Sequence, residues 1–270
     1  MDGQEDRPPE AVGRLRRGLR LAGPRRRALA AQARGRPRVS ERVALVTGAS
    51  GGIGAAAARA LAADGWRLAL HHARSRPPSL PGSAAFKADL SRPGAAASLV
   101  RAVVKRLGRL DLLVNNAGAV LGGTDYLSVT EREFDANLRL NLTAPFMLAR
   151  EAFKVLPPGG RVVNVSSIAA KFGGSPRSMA YAAAKAGLEA LTVSLAREGA
   201  PRGVLVNCVR PGVIDTPFHG KFRKAMRPRV AKIPLKRMGR AEDVALMVAH
   251  LAGPGGDFVT GQVLCVTGGE

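Results

Sequence analysis

Cysteine, aromatic residues and acidic residues are all scarce in this chain. Its 270 residues include 2 cysteines, 4% aromatic residues and 20 Asp+Glu against 42 Lys+Arg. Two cysteines exclude a disulfide framework and a four-cysteine zinc site. Cys208 and Cys265 both stand in apolar runs, so we expect buried thiols in a reducing compartment. No apolar run approaches 18 residues, which argues against a membrane-spanning helix.

The formal net charge of +22 is unevenly spread. Residues 1–40 hold 11 arginines and 4 acids, and residues 221–240 hold nine Lys/Arg and no acid. Such charge suits a nucleic acid, an anionic surface or an acidic substrate. However, 33 of the 42 basic residues are arginine, and GC-rich coding produces that bias without any binding role. Because the aromatic residues used for base stacking are also few, nucleic acid is disfavoured as a partner.

The first 40 residues contain no convincing strand, and Gly or Pro interrupts each helical run. We predict that residues 1–40 form a basic, disordered or loosely helical extension ahead of a single domain over residues 41–270. An organelle-targeting role of the extension stays open, because targeting segments are rich in Arg and Ala. The cytoplasm is the expected location.

Short apolar runs alternate with helical segments from Arg42 to the end of the chain. Continuous apolar strands separated by helices are typical of a parallel sheet that is covered on both faces. We therefore predict an α/β fold, a single-domain Rossmann-type doubly wound parallel sheet of about seven strands. The predicted helices lie over residues 52–64, 93–107, 130–155, 179–199 and 241–252.

One connection in this pattern is abnormally short. Between the second and third strands lie 11 residues, ARSRPPSLPGS, with three prolines. Proline inside a helix is unfavourable by about 3 kcal/mol. We therefore predict a loop instead of a covering helix in this crossover.

A glycine-rich turn follows the first strand in the segment TGASGGIG. Glycines at positions 48, 52 and 54 permit a tight turn, close approach of the backbone to a ligand, and close packing of the next helix. The N-terminus of that helix offers N–H groups and a positive dipole to a pyrophosphate. The segment thus predicts a dinucleotide site that includes Gly48, Ser50, Gly52, Ile53 and Gly54.

Further motifs occur along the rest of the chain, at the ends of later strands and on the predicted helices. They are Asn115-Asn116-Ala117-Gly118, Asn141 in LRLNLTAPF, Ser166-Ser167, Tyr181-Ala-Ala-Ala-Lys185, Arg210-Pro211-Gly212 with Thr216, and the terminal Val259-Thr260-Gly261-Gln262 and Gly268-Gly269. In this order, over residues 43–269, the chain resembles the short-chain dehydrogenase/reductase family. The resemblance implies a hydride transfer between a nicotinamide cofactor and a carbonyl/alcohol pair.

Tyr181 and Lys185 are four residues apart, so they share one face of a helix. A nearby ammonium favours phenolate, and we therefore expect Lys185 to lower the pKa of Tyr181 toward neutrality. The resemblance implies that Tyr181 exchanges the proton, that Lys185 holds the nicotinamide ribose, and that Asn141 positions Lys185 through a water. The second serine of the pair is the usual catalytic one, so Ser167 is expected to bind the substrate oxygen, and Ser166 to cap the backbone.

The residues at the end of the second strand indicate whether the cofactor is NAD or NADP. NAD enzymes commonly place an acid there, whereas this chain has HHARSR and no carboxylate. Arg74 and Ser75 would suit a 2′-phosphate, so NADP is predicted over NAD. Gly51 is evidence against NADP, since NADP-dependent members of the family often carry a basic residue at this position. The resemblance adds Asp89, Leu90, Asn116, Ala117, Gly118, Pro211, Gly212 and Thr216 to the cofactor residues, and the four histidines lack the spacing of a metal site.

The substrate is less well specified by the sequence. Among relatives, the motifs and the segment PLKRMGRAEDVALMVAHLA look most like 3-oxoacyl-[acyl-carrier-protein] reductases. Sugar or polyol dehydrogenases look nearly as close, and a non-catalytic NADP-binding sensor or scaffold is the alternative of another class. Residues 218–237 occupy the place of the family's substrate loop. The resemblance also implies a homodimer or homotetramer formed through residues 130–155 and 179–199.

Overall fold

The computed structural model describes residues 41–122, 125–220 and 227–270, which belong to one compact unit that ends at Glu270. Residues 1–40 lie outside the described residues, so their disorder stays a prediction. Residues 221–226 of the basic stretch also lie outside. Among the described residues, no helix has the length and apolar character needed to cross a membrane.

The described residues form one main sheet and one short strand pair. The strands are β1 (Val43–Val46), β2 (Arg67–His72), β3 (Ala84–Lys87), β4 (Leu112–Asn115), β5 (Arg161–Val165), β6 (Leu205–Pro211), β7 (Ile214–Asp215), β8 (Gly239–Arg240) and β9 (Val263–Val266). In the part of the chain that is described, the main sheet has seven strands in the order β3-β2-β1-β4-β5-β6-β9. All neighbours in it are parallel, and β7 pairs with β8. The predicted Rossmann-type sheet is confirmed.

Helices cover both faces of this sheet. They are α1 (Gly52–Ala63), α2 (Ala95–Leu107), α3 (Glu131–Leu138), α4 (Ala144–Phe153), α5 (Ala169–Phe172), α6 (Met179–Gly199), α7 (Pro217–Gly220), α8 (Arg227–Ala231) and α9 (Ala241–Ala252). One face of the sheet packs against α2, α4 and α6. The other face packs against α1 and α9. Because all neighbouring strands of the main sheet are parallel, their carboxyl ends lie at one edge, where a ligand can bind.

The crossover from β2 to β3 has no helix, as the three prolines predict. Ala84 and Phe86 of β3 are buried against α2, whereas Ala85 and Lys87 are exposed on the opposite face. That opposite face is the one a crossover helix would cover. The alternating pattern is therefore the direct result of the missing helix.

The helix predicted over residues 130–155 is confirmed in extent, since helical backbone runs from Glu131 to Phe153, but it is not α-helical throughout. A π-helical turn over Arg139–Thr143 separates α3 from α4. One extra residue in a turn changes which side chains face inward, and π turns are frequent at functional sites. Here the turn contains Asn141, whose side chain is fully buried.

The prediction for the cysteines is half right. Cys208 is buried in β6, but Cys265 is exposed in the edge strand β9. An apolar run in an edge strand has only one face against the core, which explains the error.

Candidate active site

A threonine and an asparagine join the ends of β1 and β4. Thr47 Oγ1 accepts from the N–H groups of Asn116 at 2.9 Å and Ala117 at 3.0 Å. Asn116 Nδ2 donates in return to Thr47 O at 2.9 Å and Gly48 O at 3.2 Å. This reciprocal set fixes the glycine-rich turn to the segment that follows β4. Thr47 is a site residue that sequence reasoning missed, although its place at the end of the first strand marked it.

The three predicted glycines have distinct structural reasons. Gly48 has φ +66°, and a Cβ there would lie 2.9 Å from Ala117 Cα. Gly52 has φ +53°, and a Cβ there would lie 3.3 Å from the Cβ of Thr216. A Cβ on Gly54 would lie 2.2 Å from Gly48 O, so only glycine lets α1 pack this closely on the turn.

The N-terminus of α1 has no side-chain cap, because Gly51 precedes it. The first N–H groups of a helix have no partner within the helix. They are therefore available to an anionic ligand, and the positive end of the helix dipole favours one. Ile53 directs its side chain toward the core on the α1 side of the sheet.

Four of the predicted cofactor residues lie at the ends of β2 and β3, where the adenosine half of a dinucleotide would bind. They are Arg74, Ser75, Asp89 and Leu90. Arg74 and Ser75 are exposed, and Ser50 Oγ in the glycine-rich turn donates to Ser75 O at 2.5 Å. Asp89 is also exposed, and its Oδ1 accepts from Ser91 N at 3.1 Å and Ser91 Oγ at 2.6 Å, which lowers the pKa of Asp89. Asp89 thus closes a turn, while α2 begins only after Gly94. Leu90 is buried beside it.

His71 connects the two parts of this region. Its Nδ1 accepts from Gly48 N at 3.1 Å, so the ring proton is on Nε2, which lies 3.1 Å from Ala88 O and donates to it. The side chain is 2% exposed, and this burial lowers the pKa of His71. The neutral imidazole therefore holds the glycine-rich turn at a fixed position relative to β3.

The predicted catalytic side chains come together at the ends of β5 and α6. Tyr181 is buried, and its phenol makes a side-chain hydrogen bond with Ser167. Lys185 lies one turn further along α6, with Nζ 5.7 Å from the centre of the Tyr181 ring. Lys185 Nζ donates to Val165 O at 2.7 Å, at the end of β5. The side chains of Ser167, Tyr181 and Lys185 thus form one contiguous group.

The expected lowering of the Tyr181 pKa is wrong. Burial is the largest effect, and it raises the pKa of Tyr181 above the ordinary value for a phenol. Burial also lowers the pKa of Lys185 to about 8. Both changes disfavour the charged forms, because water is excluded from both groups. The phenol is consequently protonated at neutral pH.

Asn141 reaches this group through the backbone that follows β4. Its Nδ2 donates to Ala119 O at 2.9 Å, and its Oδ1 accepts from Ala119 N at 3.1 Å. A Cβ on Gly118 would lie 2.6 Å from Asn141 Oδ1 and 3.4 Å from Lys185 Nζ. The absence of a side chain on Gly118 therefore lets Asn141 and Lys185 lie close to each other. A water between them stays a prediction.

Both serines of the pair accept a hydrogen bond from a following backbone N–H, so the capping role expected of Ser166 is shared by Ser167. Ser166 Oγ accepts from Ser167 N at 2.5 Å, while Ser167 Oγ accepts from Ala169 N at 3.1 Å. On the other side of the site, Pro211 O accepts from Ile168 N at 2.8 Å, and Gly212 N donates to Val266 O at 2.9 Å. Close packing requires glycine at 212, since a Cβ would lie 2.8 Å from Thr267 Cα.

Within residues 41–122, 125–220 and 227–270, no three His, Cys, Asp or Glu side chains are grouped as metal ligands. His71 has both ring nitrogens in hydrogen bonds to the backbone.

Comparisons with known proteins agree with this arrangement. A family model described as enoyl-(acyl carrier protein) reductase matches residues 48–270. The chain is 38% identical over 239 residues to nodulation protein G of Rhizobium sp. strain N33, covering 84% of this chain and 96% of that protein. It is 36% identical over 233 residues to the 3-oxoacyl-[acyl-carrier-protein] reductase FabG of Rickettsia typhi, covering 84% and 96%.

Solved structures give the same result at the level of the fold. A blue fluorescent protein from a metagenomic library, in complex with NADPH, superposes with a TM-score of 0.79 at 36% identity. A short-chain dehydrogenase from Burkholderia cenocepacia J2315, in complex with NADP, gives a TM-score of 0.78 at 36% identity. Each comparison covers 86% of this chain and 99% of the other.

Proposed function

The chain belongs to the short-chain dehydrogenase/reductase family of oxidoreductases, and we propose that it is an NADP(H)-dependent reductase of apolar carbonyl compounds. The best candidates are 3-oxoacyl thioesters. The observation that carries this proposal is the buried, protonated phenol of Tyr181, hydrogen-bonded to Ser167 and one helical turn from Lys185.

The reacting side chains divide the work of carbonyl reduction. Tyr181 donates its proton to the carbonyl oxygen, and Ser167 donates a hydrogen bond to the same oxygen. Bound NADPH supplies the hydride. The ammonium of Lys185 stabilises the phenolate that remains and holds the ribose hydroxyls of the nicotinamide nucleotide. Asn141 positions Lys185 from its place beside Gly118.

The uncapped N-terminus of α1 fits a dinucleotide. Residues proposed to hold it are Gly48, Ser50, Gly52, Ile53, Gly54, Arg74, Ser75, Asp89, Leu90, Asn116, Ala117, Gly118, Tyr181, Lys185, Pro211, Gly212 and Thr216. The end of β2 has no carboxylate to repel a 2′-phosphate, and the exposed guanidinium of Arg74 suits one. The relatives in complex with NADPH and NADP support the same choice.

Acid should weaken cofactor binding through His71. A protonated imidazole can no longer accept from Gly48 N–H, so the turn is released. Because burial lowers the pKa of His71, NADPH affinity should hold through neutral pH and fall only below the ordinary histidine range near 6.5. NADPH fluorescence titrations between about pH 5 and 8 measure this.

The matched variant is His71→Asn, whose Oδ1 accepts from Gly48 N–H and does not ionise. The other ionisable groups close by are His72, Lys87 and Asp89; Lys87 of β3 stands opposite His72 of β2. The 2′-phosphate also titrates, so NADH is titrated in parallel. Equal acid losses in wild type and His71→Asn would refute the assignment to His71.

A cation at position 51 should strengthen NADPH binding. Gly51 has extended backbone with φ −175°, and a Cβ there meets nothing within 4 Å. Gly51→Lys should therefore fit without strain and lower the Kd for NADPH about 2- to 5-fold, as an exposed ion pair does. NADH affinity should not change. Isothermal titration with Gly51→Ala as control tests this, and an equal gain for NADH would argue against a 2′-phosphate at this position.

Exposed apolar side chains favour an apolar substrate over a sugar. They lie on segments that follow β4, β5 and β7, at the edge where the reacting groups are. Phe218 approaches the Tyr181 ring, with 6.0 Å between ring centres. A polyol would instead need several polar partners. Besides Phe218, these exposed side chains are Tyr126, Leu127, Phe172 and Met179.

Loss of NADPH absorbance over a carbonyl panel tests the proposal. The panel holds acetoacetyl-CoA, an aryl ketone and an aldose, and Tyr181→Phe is the control. We expect the thioester or the ketone to be reduced faster than the sugar. Preference for the aldose would support the sugar or polyol alternative. A panel left unreduced, with NADPH still bound, would support the non-catalytic sensor or scaffold.

We also propose a homodimer or homotetramer formed through α3, α4 and α6. Phe134, Phe146 and Val193 on these helices are large apolar side chains that remain exposed in the single chain. Such side chains on neighbouring helices are typical of an interface. Light scattering should give two or four times the mass of 28.2 kDa.

A further inference from the structure

Glu189 lies on the same face of α6 as the reacting groups. It follows Lys185 by four residues and Tyr181 by eight. Its side chain is only 12% exposed. A carboxylate that is this well covered requires partners for both oxygens.

Those partners come from the ends of two strands. Glu189 Oε1 accepts from Ser166 Oγ at 2.5 Å and from Arg210 Nε at 2.8 Å. Glu189 Oε2 accepts from Arg210 Nη2 at 2.5 Å. The guanidinium thus grips the carboxylate in a two-bond fork, which fixes its orientation.

The contacts continue from Glu189 to the reacting hydroxyls. Ser166 Oγ donates to Glu189 and accepts from Ser167 N at 2.5 Å. The Ser167 side chain is hydrogen-bonded to the phenol of Tyr181. An unbroken series of contacts therefore runs from Arg210 through Glu189 and Ser166 to Ser167 and Tyr181.

We propose that Glu189 is a positioning residue, whose carboxylate, oriented by Arg210, holds the Ser166–Ser167 turn so that the Ser167 hydroxyl meets the phenol of Tyr181. This inference rests on the proposed roles of Ser167 and Tyr181. It also explains why a buried ion pair is placed here. Such pairs contribute little to stability compared with apolar packing, but a fork of charge-assisted bonds sets geometry accurately.

Two substitutions of Glu189 separate its charge from its acceptor atom. Glu189→Gln keeps an oxygen for Ser166 but turns an amide donor toward Arg210, whereas Glu189→Leu removes both acceptors. Small displacements of a reacting group lower rates up to about 10²-fold. We therefore expect kcat to fall about 10-fold in Glu189→Gln and about 10²-fold in Glu189→Leu. The KM and Kd for NADPH should stay within about twofold, since the turn lies outside the adenosine side.

A spectroscopic measurement distinguishes positioning from mere structural support. The chain has 2 tyrosines, so in a Tyr126→Phe background the phenolate absorbance titrates Tyr181 alone. The bond from Ser167 lowers the pKa of Tyr181, so its loss in Glu189→Leu should move the titration midpoint upward. Glu198→Gln, exposed on the same helix, is the matched control and should leave both the midpoint and kcat unchanged.

The proposal is overturned if Glu189→Leu keeps kcat within about twofold of wild type, or if its Tyr181 midpoint does not move. It is also overturned if both Glu189 variants lose activity only in proportion to their unfolded fraction. If Glu189→Leu does not fold, Glu189→Gln gives the same readouts with smaller changes. Failure of the proposed function looks different, because wild type would then reduce no carbonyl while the phenol midpoint still responded to Glu189.

Discussion

Tyr181→Phe should lower kcat for carbonyl reduction by about 10²- to 10⁴-fold, the range supplied by a positioned proton donor. The substitution removes one oxygen from a buried side chain and leaves its ring in place. NADPH affinity should change less than about threefold, because the ring keeps its packing. Stopped-flow absorbance of NADPH, with cofactor affinity measured separately, gives both quantities.

Ser167→Ala is the matched control for this expectation. It leaves the phenol in place but removes its hydrogen-bond partner, so kcat should fall without reaching the loss in Tyr181→Phe. Because burial raises the pKa of Tyr181, reduction should retain its acid across neutral pH, and alcohol oxidation should accelerate in alkali. A Tyr181→Phe enzyme as fast as wild type would remove Tyr181 from the mechanism.

Lys185→Met should abolish most activity and yet make the fold more stable. In the proposed mechanism the ammonium stabilises the phenolate and holds the ribose, so we expect kcat to fall by at least about 10²-fold and the Kd for NADPH to rise about 10-fold. Burial lowers the pKa of Lys185 from 10.5 to about 8. Unfolding therefore restores proton affinity, which at pH 7 is equivalent to about 3 kcal/mol in favour of the unfolded chain.

Methionine removes that penalty but also loses the bond to Val165 O, so the gain in the free energy of unfolding at pH 7 should be at most about 3 kcal/mol. In wild type, stability should increase with pH between about 8 and 10.5, and this increase should vanish in the variant. Urea unfolding at several pH values measures both. Lys185→Arg, which keeps a charge, should not be stabilised. A Lys185→Met protein that is less stable at every pH would contradict the proposed burial of a charged amine.

The sequence predicted the features that depend on local chemistry. Apolar runs gave the strands, three prolines gave the loop between β2 and β3, and glycine spacing gave the turn before α1. The group formed by Ser167, Tyr181 and Lys185 was also predicted, because helical spacing brings the last two together. Its catalytic role remains a proposal.

Features that depend on distant partners were not predictable. The π turn at Asn141 is stabilised by contacts to Ala119, 22 residues away in the chain. The positioning role proposed for Glu189 depends on its contact with Arg210, which lies on the distant strand β6. The direction of the Tyr181 pKa change depends on how completely its surroundings exclude water, and residue spacing carries no such information.

The helix-free crossover from β2 to β3 also bears on how this protein can evolve. Arg74 and Ser75, which we propose to hold the 2′-phosphate, are exposed in this crossover, whereas Tyr181 and Lys185 are buried. Exposed loops accept substitutions with little loss of folding free energy. Substitutions at these two positions should therefore change the proposed nucleotide preference without requiring a compensating change in the core.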